Sequence, residues 1–393
     1  MSQSMTLAEV CEAIVDCEHK TAPVDVEGGF FAVGTPAMRG NRISYSAARR
    51  ISGETFEAWT RRLMPQFGDL LLAREAPVGP VVRMPKAANV APGQRTVLLR
   101  PDPSLIDADY LYYLLISPTQ QSRLLQKAEG STVPHLNVAD VRSYELPSLP
   151  PIAEQRVIAA TLGALDDKIE SNRRQRHLLR ELGLAEYQAS VRDDRKSLQL
   201  SAATVSIARG VAPKYADDDL DAALVINQKC IRDGWVSLAP ARRMFDRSVK
   251  TEKRASSGDI LVNSTGTGTL GRVARWHAGD IYVDGHVSVV KADHSVTSPT
   301  VLAYSLLGRE ADIEGLATGS TGQTELSAAR LGELRVILPP TDQGSRLETT
   351  LITIEDRCDQ LAAENTHLES TRDVLLPELL SGRIRVPVEG VEA

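Results

Sequence analysis

The 393-residue chain contains an internal repeat, which limits the possible folds more than any other feature of the sequence. Short motifs return in the same order at a spacing of about 190 residues, while the sequence between them diverges. The repeat predicts two copies of one plan, each a globular unit followed by a long helix. The clearest matches join residues 68–72 with 258–262, 130–132 with 319–321, and 149–151 with 338–340.

Each copy is predicted to end in a long helix, over residues 149–191 and 338–385. Both runs open with Leu-Pro-Pro, and proline in the first turn of a helix sacrifices no hydrogen bond. Apolar residues then recur three and four apart, which predicts a coiled-coil seam. A seam needs a partner, so the helices are expected to pack on each other; two separate surface helices remain the alternative. The seam residues are Leu162, Leu165, Ile169, Asn172 and Leu179, and Leu351, Ile354, Leu361, Asn365 and Leu368.

Several residues within these helices carry further expectations. Asn172 and Asn365 fall on the seam, where a buried amide can fix the register. Gly163 and Gly183 are expected to bend the first helix. The main apolar stripe of the second helix is expected to end near Leu375, before Pro377.

The two globular units, over residues 1–148 and 192–337, are predicted to mix helices and strands. The fold class is therefore α+β: two tandem mixed α/β domains separated by two long antiparallel coiled-coil helices, with a pseudo-twofold internal repeat. Buried strands are expected at 69–73 and 259–263. The remaining assignments are a hairpin of 281–283 with 287–290 across an Asp-Gly turn, helices at 108–116 and 299–307, a junction at 193–196 and a tail at 386–393.

The charge distribution favours nucleic acid locally, although the net charge of the chain is −6. Residues 35–100 hold eleven Lys/Arg against four Asp/Glu, and residues 241–276 hold eight against three. Two basic regions at matching places of a repeat are typical of a protein that contacts phosphates twice. The four cysteines are isolated, which predicts a reduced protein without a structural metal. The sequence shows no secretory signal and no long apolar run, so we expect a cytoplasmic protein without membrane association.

Residues 266–271 read Gly-Thr-Gly-Thr-Leu-Gly, which is a literal dinucleotide-binding pattern. Such a site needs a helix that begins at the third glycine, and only five residues precede the next turn. We therefore expect a hydroxyl-rich loop followed by Arg272, suited to close approach to a phosphate or a base edge. No P-loop or nucleophile elbow is present, so the chain is predicted to hold no catalytic centre and to bind no cofactor directly.

The chain resembles the specificity (S) subunit of Type I restriction–modification systems. The resemblance covers nearly the whole chain and rests on residues 149–156 with 165–170, on 258–271, and on 375–382. One departure is the run Thr-Asp-Gln-Gly-Ser at 341–345, where the first copy has Ile-Ala-Glu-Gln-Arg. The shorter match predicts weaker helix capping in the second copy and unequal docking surfaces.

The resemblance implies two target-recognition domains, each of which reads one half of a split site in double-stranded DNA. It implies that the two long helices set the spacer and dock two methyltransferase (M) subunits, and that two restriction–translocation (R) subunits complete the complex. S-adenosylmethionine, ATP and Mg²⁺ are then expected in the partner subunits only.

Candidate DNA-binding residues are the cations, amides and hydroxyls near the two basic regions, since these groups read base edges and phosphates. They are Lys20, Arg39, Arg42 and Arg74 in the first copy, and Asn227, Gln228, Lys229, Arg232, Ser264, Thr265, Thr267, Thr269 and Arg272 in the second. Two other interpretations remain: a free-standing tandem DNA-binding adaptor or anti-restriction protein, and a nucleotide-dependent enzyme built on residues 266–271.

Overall fold

The computed structural model describes residues 4–128, 134–192, 196–318 and 324–387. The matched motifs at 130–132 and 319–321, most of the predicted junction, most of the predicted tail and the side chains of 341–343 lie outside this description. The chain divides into two units, Met1–Ser171 with Glu364–Ala393, and Asn172–Ala363. The first long helix, Ile152–Ser190, and the second long helix, Thr341–Leu380, each contribute to both units.

A four-stranded antiparallel sheet forms the centre of each unit. Residues 70–72 and 260–262 lie in these sheets with no exposed surface, which explains their uninterrupted apolar sequence and confirms both predicted strands. In the first unit the spatial order is Cys11–Asp16, Thr96–Pro101, Leu70–Arg74 and Val78–Arg83. In the second it is Thr204–Arg209, Val287–Ala292, Ile260–Asn263 and Val273–Arg275.

A smaller sheet in each unit mixes parallel and antiparallel pairing. In the first unit, Phe30–Val33 pairs antiparallel with Arg49–Ile51 and parallel with Val90–Pro92. In the second unit, Ala223–Ile226 pairs in the same way with Arg242–Met244 and Ile281–Val283, and Arg254–Ala255 adds a further strand. The two units share one topology, which confirms the internal repeat.

The short helices form where their sequences supply caps. The side chains of Asp107 and Ser298 accept hydrogen bonds from the first turns of Ala108–Ile116 and Pro299–Leu306, and both helices are confirmed. The other short helices are Leu7–Val10, Gly53–Thr60, Pro118–Lys127, Val138–Arg142, Glu310–Glu314 and Ala328–Gly332. Two further strand pairs join Ile231–Arg232 with Trp235–Val236, and Lys196–Gln199 with Arg335–Leu338.

The long helices pack antiparallel within each unit. In the first unit, Asn365 Nδ2 donates to the Ile169 carbonyl at 3.2 Å, and Arg372 lies 2.8 Å from Asp166. The seam between the helices is more polar than its heptad pattern predicts, because the charged side chains of Asp166, Arg180 and Glu355 are buried beside it. Of the predicted seam residues, Leu162, Ile169, Asn172, Leu351, Ile354, Leu361 and Asn365 are buried, and Leu165, Leu179 and Leu368 are partly exposed.

A buried tyrosine and a helix carboxylate attach each globular part to a long helix. Tyr113 donates to Asp166 at 2.8 Å in the first unit, and Tyr304 donates to Glu355 at 2.6 Å in the second. An arginine of the other long helix lies beside the same carboxylate, Arg372 in the first unit and Arg180 in the second. The two attachments therefore use equivalent chemistry at matching positions of the repeat.

The second long helix does not lose its apolar stripe before Pro377, so that expectation was wrong. The helix runs to Leu380 with Pro377 inside it, and Leu376 and Leu379 are buried in the core of the first unit. Burial of a leucine stabilises by about 1.5–3 kcal/mol. Two such side chains offset the cost of an interior proline, which is about 3 kcal/mol.

The predicted hairpin was also wrong, although both strands exist. Ile281–Val283 belongs to the smaller sheet of the second unit, whereas Val287–Ala292 belongs to the larger one. Between them the Asp284 carboxylate accepts a hydrogen bond from the His286 amide at 2.8 Å. This local bond closes the turn, and the chain passes from one sheet to the other.

Candidate nucleic-acid interface

Three turns meet at one end of the sheets in each unit, and we call them the turn cluster of that unit. In the first unit they are residues 35–38, 74–77 and 93–95. The Arg74 amide donates to the Arg95 carbonyl at 3.0 Å, and the Gly93 amide donates to the Val33 carbonyl at 2.8 Å. Thr35 Oγ1 donates to the Ala76 carbonyl at 3.1 Å, so all three turns are joined by hydrogen bonds.

The second unit builds its turn cluster, residues 227–230, 264–272 and 284–286, on the same backbone bonds. The Ser264 amide donates to the His286 carbonyl at 2.9 Å, and the Asp284 amide donates to the Ile226 carbonyl at 2.8 Å. A further matched pair runs from the Leu136 amide to Arg74 at 2.8 Å and from the Leu326 amide to Ser264 at 2.9 Å. The bonds identify which residues occupy equivalent places.

The side chains at these equivalent places differ. Residues of the two units that form the same backbone hydrogen bonds carry side chains with different donors, acceptors and charges. The matched residues are Arg74 and Ser264, Glu75 and Thr265, Arg95 and His286, and His135 and Glu325. A constant backbone frame with variable polar ends is suited to the recognition of two different ligands of one class.

The glycine-rich loop of the second unit has a defined structure. Asn263 is buried, and its amide nitrogen donates to the carbonyls of Gln228 and Thr269 at 3.0 Å each. Arg272 donates to the Gly268 carbonyl at 2.7 Å. Gly271 has a φ of 85°, and a Cβ there would lie 2.5 Å from the Glu310 carbonyl oxygen. No helix begins at the third glycine, because Val273–Arg275 continues as a strand, as the sequence predicted.

Electrostatic contacts hold the third turn of the second unit. Arg209 donates to the Gly285 carbonyl at 2.8 Å through Nε and forms an ion pair with Glu325. Burial lowers the pKa of Arg209, and the charge of Asp284 opposes that effect. Burial raises the pKa of Asp284, although the His286 amide and the charges of His286 and Arg209 oppose it.

The predicted residues of the second unit divide between support and surface. The buried Asn227 bonds the Lys229 amide and the Pro240 carbonyl, so its side chain caps the short helix Gln228–Cys230. Ser264 is also buried and bonds Ser288 at 2.6 Å. Exposed members are Lys229, Arg232 and Thr267, while Gln228, Thr265, Thr269 and Arg272 are partly exposed.

The predicted residues of the first unit are more scattered. Lys20 and Arg39 are exposed. Arg74 belongs to the turn cluster, lies 3.4 Å from Asp16 and donates to the Leu136 carbonyl. Arg42 lies elsewhere: it donates to Glu170 on the first long helix at 2.6 Å and lies 3.7 Å from Asp166.

Sequence analysis missed several residues within and beside the clusters. Arg95, with Gln94, lines a cleft of about 180 Å³ between the turns of the first unit, and Arg49 lies on the same cleft. Asn263, Arg209 and His286 were missed in the second unit. The available signal was position, since 93–95 and 284–286 each follow the parallel strand of the smaller sheet.

The described residues also bear on other functions. No group of three or more His, Cys, Asp or Glu side chains able to hold a metal occurs among them. No helix in this part of the chain is long and apolar enough to span a membrane.

Comparison with known proteins shows what the chain is similar to. Residues 2–180 match the family model described as Type I restriction modification DNA specificity domain. The chain is 30% identical over 136 residues to the Type I restriction enzyme MjaIX specificity subunit of Methanocaldococcus jannaschii, and 34% identical over 70 residues to a putative type I specificity subunit of Mycoplasma genitalium. These matches cover 35% and 18% of the chain, and only 30% and 18% of those relatives' lengths.

A solved structure extends the likeness to almost the whole chain. The crystal structure of a Type I restriction–modification S subunit from Mycoplasma genitalium matches with a TM-score of 0.58 and 17% identity, and the match covers 96% of each chain. At that identity the match shows the fold alone. Residues 2–180 are therefore similar to the Type I restriction modification DNA specificity domain, and the chain as a whole has a fold similar to that of this S subunit.

Proposed function

We propose that this chain is the sequence-specific DNA-recognition subunit of a Type I restriction–modification complex. Each unit reads one half of a bipartite target in double-stranded DNA through its turn cluster. The long helices set the unread spacer and dock the methyltransferase subunits. The chain itself catalyses no reaction.

The observation that carries this proposal is the pair of turn clusters. Their backbone hydrogen bonds are the same, yet Arg74, Glu75 and Arg95 in one unit correspond to Ser264, Thr265 and His286 in the other. Base edges in the major groove are distinguished by such donors and acceptors. Two copies of one frame with different polar ends suit a target whose halves differ in sequence.

The partners follow from the family. We infer two M subunits, which bind S-adenosylmethionine and transfer the methyl group, and two R subunits, which use ATP and Mg²⁺. The chain then acts in a cytoplasmic complex and supplies recognition only. The purified chain is expected to neither methylate nor cut DNA, and methylation is expected once its M partner is added.

An exchange of modules tests the proposal directly. Residues 202–336 are replaced by a second copy of residues 9–146, which occupy the equivalent part of the repeat. The complex of this variant with the M partner is then expressed in cells, and all methylated sites in the genome are sequenced. We expect both blocks of the target to show the sequence of the first half-site.

The reciprocal exchange is the control, and it should place the second half-site in both blocks. If either exchange changes both blocks to a new sequence, the units do not read DNA independently. Methyl transfer by the purified chain without a partner would contradict the non-catalytic role. Stable, sequence-specific binding by a chain that never associates with an M subunit would favour the free-standing adaptor.

A further inference from the structure

Arg95 and His286 occupy the same place in the two turn clusters. The carbonyl of Arg95 accepts from the Arg74 amide, and the carbonyl of His286 accepts from the matched Ser264 amide. Arg95 has a φ of 69°, a left-handed conformation that costs a residue with a Cβ of order 1 kcal/mol or more. The surrounding backbone hydrogen bonds hold that conformation, so the fold fixes the point from which the side chain leaves the backbone.

Each of these side chains is also held by its neighbour in the cluster. Arg95 Nε lies 3.4 Å from the carboxylate of Glu75, and His286 Nδ1 lies 2.7 Å from the hydroxyl of Thr265. Glu75 and Thr265 are themselves matched, because each forms an isolated bridge with the segment that follows the short helices. Both contacts use the nitrogen nearest the backbone.

The nitrogens farthest from the backbone remain for a ligand. Arg95 is 45% exposed, and His286 is exposed as well. Within the described part of the chain, no hydrogen bond engages the two terminal nitrogens of Arg95 or Nε2 of His286, and the Arg95 contact with Glu75 runs through Nε. A donor that is fixed at its base and open at its tip loses little conformational freedom on binding.

We propose that Arg95 and His286 are the equivalent base-contacting residues of the two units, with Glu75 and Thr265 as their positioning residues. The inference rests on the proposed function and adds to it which side chains read the bases. The two terminal nitrogens of Arg95 match O6 and N7 of guanine, so the first half-site contains a guanine that Arg95 reads. Nε2 of His286 forms one hydrogen bond, so its position in the second half-site is read less strictly.

Arginine variants distinguish a base contact from a phosphate contact. The complex of the chain with its M partner is assayed for methylation rate on DNA targets that each carry one base change. Arg95→Ala should reduce the preference at one position of the first half-site by roughly 5- to 150-fold, and leave the second half-site unaffected. Arg95→Lys should lose the same preference, because lysine keeps the charge but not the paired donors.

The second unit gives the mirror experiment. His286→Ala should relax one position of the second half-site and leave the first half-site unaffected. Arg61→Ala is the matched control, because Arg61 is 64% exposed in the first unit and forms an ion pair with Glu18 outside the turn cluster. This control should leave discrimination at every position unchanged.

A double-variant comparison tests the positioning role. Glu75→Ala should weaken discrimination at the position that Arg95 reads, and should add nothing in a chain that already carries Arg95→Ala. Thr265→Val should act in the same way through His286. An independent effect of Glu75→Ala in the double variant would overturn its role as a positioning residue.

The failure of this inference is distinct from the failure of the proposed function. A uniform loss of rate on all targets with Arg95→Ala, together with a smaller dependence on salt and rescue by Arg95→Lys, would make Arg95 a phosphate contact. Unchanged discrimination with a specific wild-type complex would also overturn the inference. If the wild-type complex itself showed no sequence preference, the proposed function would fail instead.

Discussion

The buried carboxylate of Glu355 provides the most quantitative test of how the second unit is held together. Burial would raise the pKa of this group, but the contact with His277, the charge of Arg180 and the hydrogen bond from Tyr304 outweigh burial and lower the pKa from 4.5 to about 2. Each unit of pKa shift corresponds to about 1.36 kcal/mol, so the ionised carboxylate contributes about 3 kcal/mol to the stability of the folded state.

The sign follows from the direction of the shift. Because the folded pKa lies below the unfolded one, the contribution is fully present above pH 4.5 and is lost as the pH falls towards about 2. Glu355→Gln keeps the volume of the side chain but removes the charge. We expect this variant to be less stable than the wild type by about 3 kcal/mol at pH 7 and by roughly 1.5 kcal/mol at pH 3.

Urea denaturation at several pH values measures this difference. Trp235 packs 3.9 Å from the guanidinium of Arg180 and Trp276 lies in the same unit, so tryptophan fluorescence reports on this unit once Trp59 of the first unit is replaced by Phe. Asp356→Asn is the control, since Asp356 is the exposed neighbour on the same helix, and it should change stability by no more than about 0.5 kcal/mol. An equal loss at pH 7 and pH 3 would refute the reasoning, because it would show that the charge of Glu355 contributes nothing.

Further predictions concern glycines, the loop and the helices. Gly183→Ala should destabilise the protein by about 1–3 kcal/mol, because the added Cβ would lie 2.6 Å from the Tyr304 ring. Gly163→Ala should stabilise it by up to about 1 kcal/mol, because its Cβ would lie 4.0 Å from Tyr113 Oη and alanine favours the helix. Thermal denaturation measures both changes. Arg272→Ala should speed hydrogen exchange at residues 264–271 and weaken DNA binding by the assembled complex, and unchanged exchange would count against a role in holding the loop. Insertion of seven residues into each long helix should lengthen each by about 10 Å and lengthen the unread spacer, which a methylation map would show.

The repeat, the two long helices and the strands at residues 70–72 and 260–262 were predictable because each leaves a periodic or uninterrupted pattern in the sequence. The sheet to which a strand belongs leaves no such pattern. The Asp-Gly turn before His286 predicts a local hairpin, and only the tertiary pairing of 281–283 with Ala223–Ile226 shows otherwise. Pro377 was misjudged for a related reason, since the burial of Leu376 and Leu379 depends on a core formed by distant residues.

The candidate interface was only partly predictable for the same physical reason. Charge density in the sequence pointed to Arg42, yet that side chain is bound to the first long helix through Glu170. Residue type pointed to Asn227, whose amide is occupied by backbone groups. Arg95 and His286 have different side chains and no shared motif, so their equivalence appears only in the hydrogen bonds of the backbone.

The contacts that attach each globular part to a long helix show how far the two units differ in sequence while keeping one arrangement. In the first unit Arg42 lies between Asp166 and Glu170; in the second, His277 lies 3.1 Å from each of the matched carboxylates, Glu355 and Asp359. The two basic side chains come from different segments of the repeat, but each lies against carboxylates one helical turn apart.

Charge complementarity constrains the contacts of the buried carboxylates Asp166 and Glu355, so a partner residue there must keep a group that can neutralise or hydrogen-bond a carboxylate. The backbone bonds of the turn clusters impose no such limit on the side chains they carry. Residues such as Glu75 and Thr265 can therefore differ completely without moving the turns. A frame with these properties allows each unit to acquire its own pattern of donors and acceptors, which a target with two unlike halves requires.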